Sequence, residues 1–335
     1  MKEALYYKKL EDKNVNCVLC PWKCKISNGN VGVCRVRKNI GGKLYSLVYG
    51  NPVSVAVDPI EKKPLYHFLP GTEILSFGTV GCNLKCLHCQ NFETSQAEPG
   101  DFPEHKVMPG EIVERAINLG CNSIAYTYNE PTIFYEYVLD TAKIARKKRL
   151  KNVIVSNGYI NEAPLLEWCK YIDGANIDIK GFDENFYRKI TTAKLEPVLD
   201  ALKILKKKKK WIEITNLIIP ALNDELKKIE EMCGWIKNNL GAEVPLHFTA
   251  FYPTYKLTDK PRTSTEILLK ARDVALKTGL KYVYVGNVYT TEEGNTYCPK
   301  CKSLLIERNG FSITQNNVKH GKCFNCSEKI AGVWE

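Results

Sequence analysis

The stretch EILSFGTVGCNLKCLHCQN, residues 73–91, begins as a strand and runs directly into three cysteines. Cys82, Cys86 and Cys89 stand in a C-x3-C-x2-C spacing. Structural zinc sites and most electron-transfer clusters take four protein ligands. Three thiolates on one loop leave one metal position for something other than protein. A loop that follows a strand also sits where parallel α/β proteins build their sites, at the carboxyl ends of the strands.

Working outward, strands and helical segments alternate from 73 to 287. The strand candidates after the first are SIAYTYN, NVIVSNG, GANIDIK, WIEITNLII, PLHFTAF and KYVYVGN. Helical periodicity fills the intervals. Leu226, Ile229, Met232, Cys233 and Ile236 form one such stripe, with Asn223 placed to cap it. Alternation of this kind predicts an α/β fold with a parallel sheet, a partial (β/α)6 TIM-like barrel. We expect three regions: a Cys-rich N-terminal metal-binding head over 1–70, the partial barrel over 71–289, and a zinc-ribbon-like tail over 290–335. Four strand ends then converge. They carry the cysteine loop, Asn129 and Glu130, Ser156 and Asn157, and Asp178 with Lys180.

Composition limits the class. The chain has 335 residues, 44% of them hydrophobic and 25% charged, as in a soluble globular protein. No apolar run is long enough for a membrane span, and MKEALYYKKL lacks the apolar core of a signal peptide. The expectation is a cytoplasmic protein with no membrane partner. Fourteen cysteines in a reducing compartment read as metal ligands. Eleven fall into three groups, and Cys121, Cys169 and Cys233 read as buried structural residues. The formal charge of +11 falls to about +6 once thiolate–metal centres are counted. The lysine runs ARKKRLK and LKKKKKW end helical patterns, where cations complement the helix dipole, so nucleic acid is not the expected partner.

Three thiolates can hold three irons of a [4Fe–4S] cluster, leaving the fourth iron to be chelated by the amino and carboxylate groups of S-adenosylmethionine. The cofactors then carry radical chemistry while the protein supplies position and a dry space. GCNLKCLHCQN resembles the motif of the radical S-adenosylmethionine superfamily, and its surroundings resemble the pyruvate formate-lyase activase-like branch. CVLCPWKC, DPIEKKPLYHFLPG, YTYNEPTIFYEY, NIDIKGF, LIIPALND, HFTAFYP and CFNCSEKIAGVW together resemble the AmmeMemoRadiSam-system radical enzyme.

The resemblance implies roles for particular residues. Cys82, Cys86 and Cys89 match the cluster ligands. Asn129 and Glu130 match the run that binds the methionine amino group, with the family's glycines replaced by Tyr128 and Asn129. Ser156 and Asn157 match the turn after the third strand, where Val155 stands in place of an aspartate. Asp178 and Lys180 match a pair that contacts the cofactor. His88 is placed to pack on adenine, and Tyr252 to approach the ribose or carboxylate. Some have a structural alternative: the three cysteines also fit a zinc site completed by water, Glu130 before Pro131 is also a helix N-terminal acid, and Asp178 with Lys180 is also a plain ion pair. His67 and His247 read as structural histidines.

Two further cysteine groups flank this core. Cys298, Cys301, Cys323 and Cys326 form two knuckles about an Asn309–Gly310 hairpin turn, which predicts a zinc ribbon with rubredoxin-like iron as the alternative. Cys17, Cys20, Cys24 and Cys34 fit zinc or an auxiliary iron–sulfur cluster. The expected cofactors are therefore a [4Fe–4S] cluster, S-adenosylmethionine, and one or two Zn2+ ions.

The expected function is reductive cleavage of S-adenosylmethionine and hydrogen abstraction from an unidentified substrate, small or held by a partner. A glycyl-radical-enzyme activase and a non-enzymatic metal-stapled adaptor or RNA-binding protein are the alternatives. The resemblance implies an electron donor such as ferredoxin or flavodoxin, and Memo-type and AMMECR1-type protein partners.

Overall fold

Seven of the eight strands in the main sheet are the seven that the sequence pattern predicts. The structure, a computed structural model, describes residues 1–289 and 292–335. The expected boundary at 289–290 abuts the two residues outside this description. The strands are β1 (Ser54–Pro59), β2 (Glu73–Gly78), β3 (Ser123–Tyr126), β4 (Lys151–Ser156), β5 (Gly174–Asp178), β6 (Trp211–Ile218), β7 (Leu246–Ala250) and β8 (Val283–Gly286). They lie in chain order from β1 to β8 across one open sheet. Neighbours from β2 to β8 are parallel, and β1 adds antiparallel to β2. The six longest helices between the parallel strands are α1 (Pro109–Asn118), α2 (Tyr135–Lys147), α3 (Glu162–Trp168), α4 (Glu196–Lys207), α5 (Leu226–Asn239) and α6 (Thr265–Thr278). Six consecutive β/α units therefore run from β2 to α6.

Each helix docks by the stripe its sequence carries. In α4, Val198, Ala201, Leu202 and Leu205 are buried, at the spacing of one helical face. In α5 the buried set is Ile229, Met232, Cys233 and Ile236. The cap expected there is different: Glu225 occupies the N-cap position. The Asn223 side chain accepts from the Ile219 N–H and donates to the Lys180 and Leu217 carbonyls instead. The basic runs close α2 and α4 as expected. Cys121, Cys169 and Cys233 are buried in the core. No helix among the described residues is long and apolar enough to cross a membrane.

The segments outside the β/α units close the sheet from two sides. Residues 60–69 pass beneath the amino ends of the strands. There Ile60, Leu65, Phe68 and Leu69 bury against Ile74, Ala125 and Val153, with Trp211 and Val333 at the margin. The Glu213 carboxylate on β6 fixes this segment by accepting from the Tyr66 and His67 N–H groups, and from the His247 ring and the Trp211 indole. The tail locks it from outside. His67 donates from Nδ1 to the Ala331 carbonyl (2.7 Å) and accepts at Nε2 from the Tyr284 hydroxyl (2.5 Å). Arg308 lies over the Tyr66 ring and donates to the Tyr66 carbonyl. The head is pinned by a buried bidentate pair, Arg37 to Glu136 on α2, at 3.0 and 3.1 Å.

Candidate active site

The cysteine loop leaves the carboxyl end of β2 through Gly81, whose φ of +88° belongs to the left-handed region. A Cβ there would also lie 2.7 Å from the Cys34 carbonyl oxygen and a Val36 methyl. Glycine is the residue that permits both. The loop is then held by backbone contacts on each side. The Lys85 and Leu87 N–H groups donate to Thr191 and Ile190, and the Lys256 N–H donates back to the Leu87 carbonyl. The three cysteines thus ride on a braced loop.

They open onto a cavity of about 580 Å³ at the carboxyl ends of the strands. Cys82, Cys86, Cys89, His88, Asn129, Ser156, Asn157, Asp178 and Lys180 all line it. Lys180 Nζ lies 2.8 Å from Asp178 Oδ2. Burial works against the lysine charge, but Asp178 and then Cys86 hold Lys180 protonated well above the ordinary range. His88 is buried, and its Nδ1 has no hydrogen-bond partner. Burial first, and Lys180 second, push its pKa down to about 3, so the imidazole is neutral at pH 7. A neutral, flat ring facing a cavity, with an unpartnered Nδ1, suits a heteroaromatic ligand.

Glu130 does not line this cavity. It is fully buried at the end of β3 and caps the short 3-10 turn Pro131–Phe134. Its carboxylate accepts from Thr132 N (3.0 Å), Thr132 Oγ1 (2.6 Å), Ser156 Oγ (2.8 Å) and Asn157 N (2.8 Å). The carboxylate thus brackets two strand ends. Asn157 then donates from Nδ2 to Asn83 Oδ1 at 2.9 Å, beside Cys82. Tyr252 also lies off the cavity. Its hydroxyl donates to the Asn287 carbonyl and its ring packs under Arg262. Asn287 itself is a lining residue.

Sequence reading missed the opposite wall. Lys62, Lys63 and Tyr66 from the 60–69 segment line the cavity, as do Thr215, His247 and Thr249 from β6 and β7. Lys62 and Lys63 both pair with Asp58, at 2.7 and 2.6 Å, and Tyr128 donates to the same carboxylate. Phe311, at the tip of the tail hairpin, completes the wall. The available signal was the lysine pair beside Asp58 and Glu61 at the head of the apolar-aromatic PLYHFL.

The donor sets differ in spacing. Cys298 Sγ to Cys326 Sγ and Cys301 Sγ to Cys323 Sγ are both 3.6 Å. A tetrahedral four-thiolate ion with metal–sulfur bonds of about 2.3 Å requires sulfurs about 3.8 Å apart, so these residues fit one zinc or one iron ion. Among the described residues, they form the only group of three or more ligand atoms lying within 4.8 Å of one another. Cys82, Cys86 and Cys89 face the cavity instead, three thiols able to ligate a metal group placed there. Burial raises the Cys86 thiol to about 12, with Lys180 opposing, so a thiolate there calls for adjacent positive charge.

Comparison with known proteins agrees with this arrangement. Residues 77–236 match the family model of the Radical SAM superfamily. An uncharacterized protein of Methanocaldococcus jannaschii is 48% identical over 332 residues, covering 98% of this chain and 99% of that one. A putative glycyl-radical enzyme activating enzyme of the same organism is 26% identical over 232 residues, 68% of this chain and 84% of that protein. In fold, the chain resembles Streptococcus suis SuiB bound to S-adenosylmethionine, with a TM-score of 0.52 and 14% identity over 69% of this chain and 53% of that one.

Proposed function

Because this chain belongs to the Radical SAM superfamily, with distant homology to glycyl-radical enzyme activases, we propose that it directs radical chemistry at a small substrate bound in the strand-end cavity. When bound at Cys82, Cys86 and Cys89, a [4Fe–4S] cluster with S-adenosylmethionine supplies reductive cleavage to methionine and a 5'-deoxyadenosyl radical that takes hydrogen from the substrate. The protein's part is placement. Asp178 and Lys180 offer one charge of each sign, suited to an ammonium and a carboxylate. His88 offers a neutral face for adenine. Glu130 fixes Ser156 and Asn157, and through Asn157 the Asn83 side chain next to Cys82.

The observation that carries this reading is the second wall. The cavity has the cysteine loop on one side and Glu61, Lys62, Lys63, Tyr66, His247 and Phe311 on the other, so its far side is polar and aromatic, with both lysines paired to Asp58. A polar, hydroxylated small molecule suits that wall. The four tail cysteines are proposed as a structural zinc site that holds the Phe311 hairpin in place. Memo-type and AMMECR1-type proteins are proposed as partners on the strength of the motif resemblance alone.

A second reading, activation of a partner enzyme by forming a glycyl radical, is favoured by the similarity to the putative activating enzyme. One experiment separates them. Reconstituted protein is incubated anaerobically with reductant, S-adenosylmethionine and fractionated native extract. Deoxyadenosine formation stimulated by the small-molecule fraction supports the first reading. A glycyl radical signal on a protein fraction supports the second. Unchanged deoxyadenosine formation in a Cys82, Cys86 and Cys89 triple alanine variant refutes both.

A further inference from the structure

A strand presents alternate side chains to opposite faces, and β6 uses both. Thr215 and Leu217 face the strand-end cavity, while Asn216 between them lines a separate pocket of about 210 Å³ on the other face of the sheet. The same division occurs after β5. Asp178 and Lys180 line the inner cavity, and Gly181, Phe182 and Asp183 line the outer pocket. The loop after β6 and the first turns of α5 close it with Leu222, Glu225, Lys228, Ile229 and Met232. A wall one strand thick thus separates the two spaces.

The polar groups of the outer pocket are unevenly satisfied. Asn216 is buried, and its Nδ2 donates to the Ile179 carbonyl at 2.7 Å. Reversing the amide would set oxygen against oxygen, so Oδ1 is the free atom, and it has no partner. Asp183 spends Oδ1 on the Phe186 N–H at 2.9 Å and keeps a second oxygen. Glu225 is exposed at the N-cap position of α5, and its side chain makes no bond to the helix. Among the described residues, Lys228 is the one cation in the lining, and Glu231 pairs with it at 2.7 Å. What stays open is a buried neutral acceptor and two carboxylates, a set that calls for a donor carrying positive charge. The two carboxylates also outweigh the positive end of the α5 dipole, which would otherwise favour an anion. Phe182, Leu222, Ile229 and Met232 supply apolar wall for a short stem.

We infer that this pocket is a second ligand site, taking a small primary ammonium on an apolar stem, which donates to Asn216 Oδ1 with its charge between Asp183 and Glu225. Its occupant bears on the inner cavity through two short links. Asn216 holds the Ile179 carbonyl and Asn223 the Lys180 carbonyl, at 2.7 Å each. The two pocket asparagines thus fix the backbone from which Lys180 reaches Asp178. The ligand site stands on its own; its link to S-adenosylmethionine rests on the function proposed above.

The test uses the full chain with n-butylammonium as the probe, followed by calorimetry at pH 7. Saturable binding is expected, with butyrate silent and tetramethylammonium, which has no N–H, at least tenfold weaker. Leu222→Trp fills the pocket from a half-buried position and should abolish binding. Asn216→Leu should weaken it about tenfold, and Glu225→Gln, at an exposed position, about threefold. Circular dichroism checks that each variant is folded, and Leu222→Trp with Glu225→Gln decides the matter if Asn216→Leu is not. No binding by wild type, equal binding of butyrate or tetramethylammonium, or undiminished binding in Leu222→Trp and Glu225→Gln would overturn the site. In reconstituted protein, saturating n-butylammonium should tighten S-adenosylmethionine binding about fivefold in wild type and leave it unchanged in Leu222→Trp. Unchanged affinity in wild type would overturn the link to Lys180 but not the site. Failure of wild type to bind S-adenosylmethionine at all would sink the radical reading and leave the calorimetry to decide the pocket.

Discussion

Replacing Glu130 with alanine should destabilise the protein first and disturb its chemistry only as a consequence. The carboxylate accepts four hydrogen bonds in a fully buried position. Two donors are hydroxyls, on Thr132 and Ser156, which rotate to other acceptors at little cost. The other two are the backbone N–H groups of Thr132 and Asn157, which cannot. A buried donor left unsatisfied costs about 1–3 kcal/mol, so two predict a loss of roughly 2–6 kcal/mol. The low half of that range is favoured, because burial already disfavours the charged carboxylate and its removal relieves that term. Urea unfolding at pH 7 measures the loss. S-adenosylmethionine binding, followed by calorimetry on the folded variant, should weaken less than tenfold. Glu130→Gln should fall between, since its amide donor meets the Asn157 N–H. Unchanged stability with a tenfold or greater loss of affinity would refute the bracket and make Glu130 a direct ligand contact.

Other outcomes follow from the same geometry. Asp58 is buried, which alone would raise its carboxyl, but Lys62, Lys63 and Tyr128 hold it well below the usual carboxylate range. A depressed carboxyl contributes stability above its unfolded value near 3.9, and that contribution is lost as pH falls towards the folded value. Asp58→Asn should therefore lower the urea midpoint at pH 7 and converge on wild type as pH drops below about 4; a constant gap across pH 2.5–7 would contradict this. In the tail, Cys301→Ser should remove about one equivalent of zinc per chain while leaving iron content intact, as read by elemental analysis. Loss of iron with retained zinc would show the two metals misassigned.

Much of this was legible in the sequence because regular elements announce themselves by period. The seven parallel strands and the stripes of α4 and α5 are examples. β1 was not. It is an edge strand exposed over part of its length, so Ser54–Pro59 lacks the apolar run of a parallel core strand. The cysteine sets were visible because spacing alone carries them; how closely the four tail sulfurs approach one another was not, because that depends on the fold. Glu130 shows the limit most clearly. The pattern Glu-Pro at a strand end fits both a ligand contact and an N-cap, and the hydrogen bonds it accepts from Thr132, Ser156 and Asn157 are not written in that pattern. Lys62 and Lys63 reach the cavity from a single 3-10 turn, Ile60–Lys62, and its C-cap, too short to carry a readable period.

The way residues 60–69 are held constrains the order in which the chain can fold. His67 and Leu69 exchange backbone hydrogen bonds with Val333, at 2.7 Å each, and Tyr66 and His67 hang from Glu213. These contacts span much of the chain. Long-range closures of this kind come late, since the entropy of the intervening loop is lost before any contact is gained. During synthesis, the β/α units up to α6 can assemble while residues 60–69 still lack their outer partner. The floor beneath the strands seals only after residues 331–333 leave the ribosome. Until then Phe68, Tyr282 and Tyr284 remain uncovered, and the nascent chain carries its greatest risk of misassociation at the end opposite the cysteine loop.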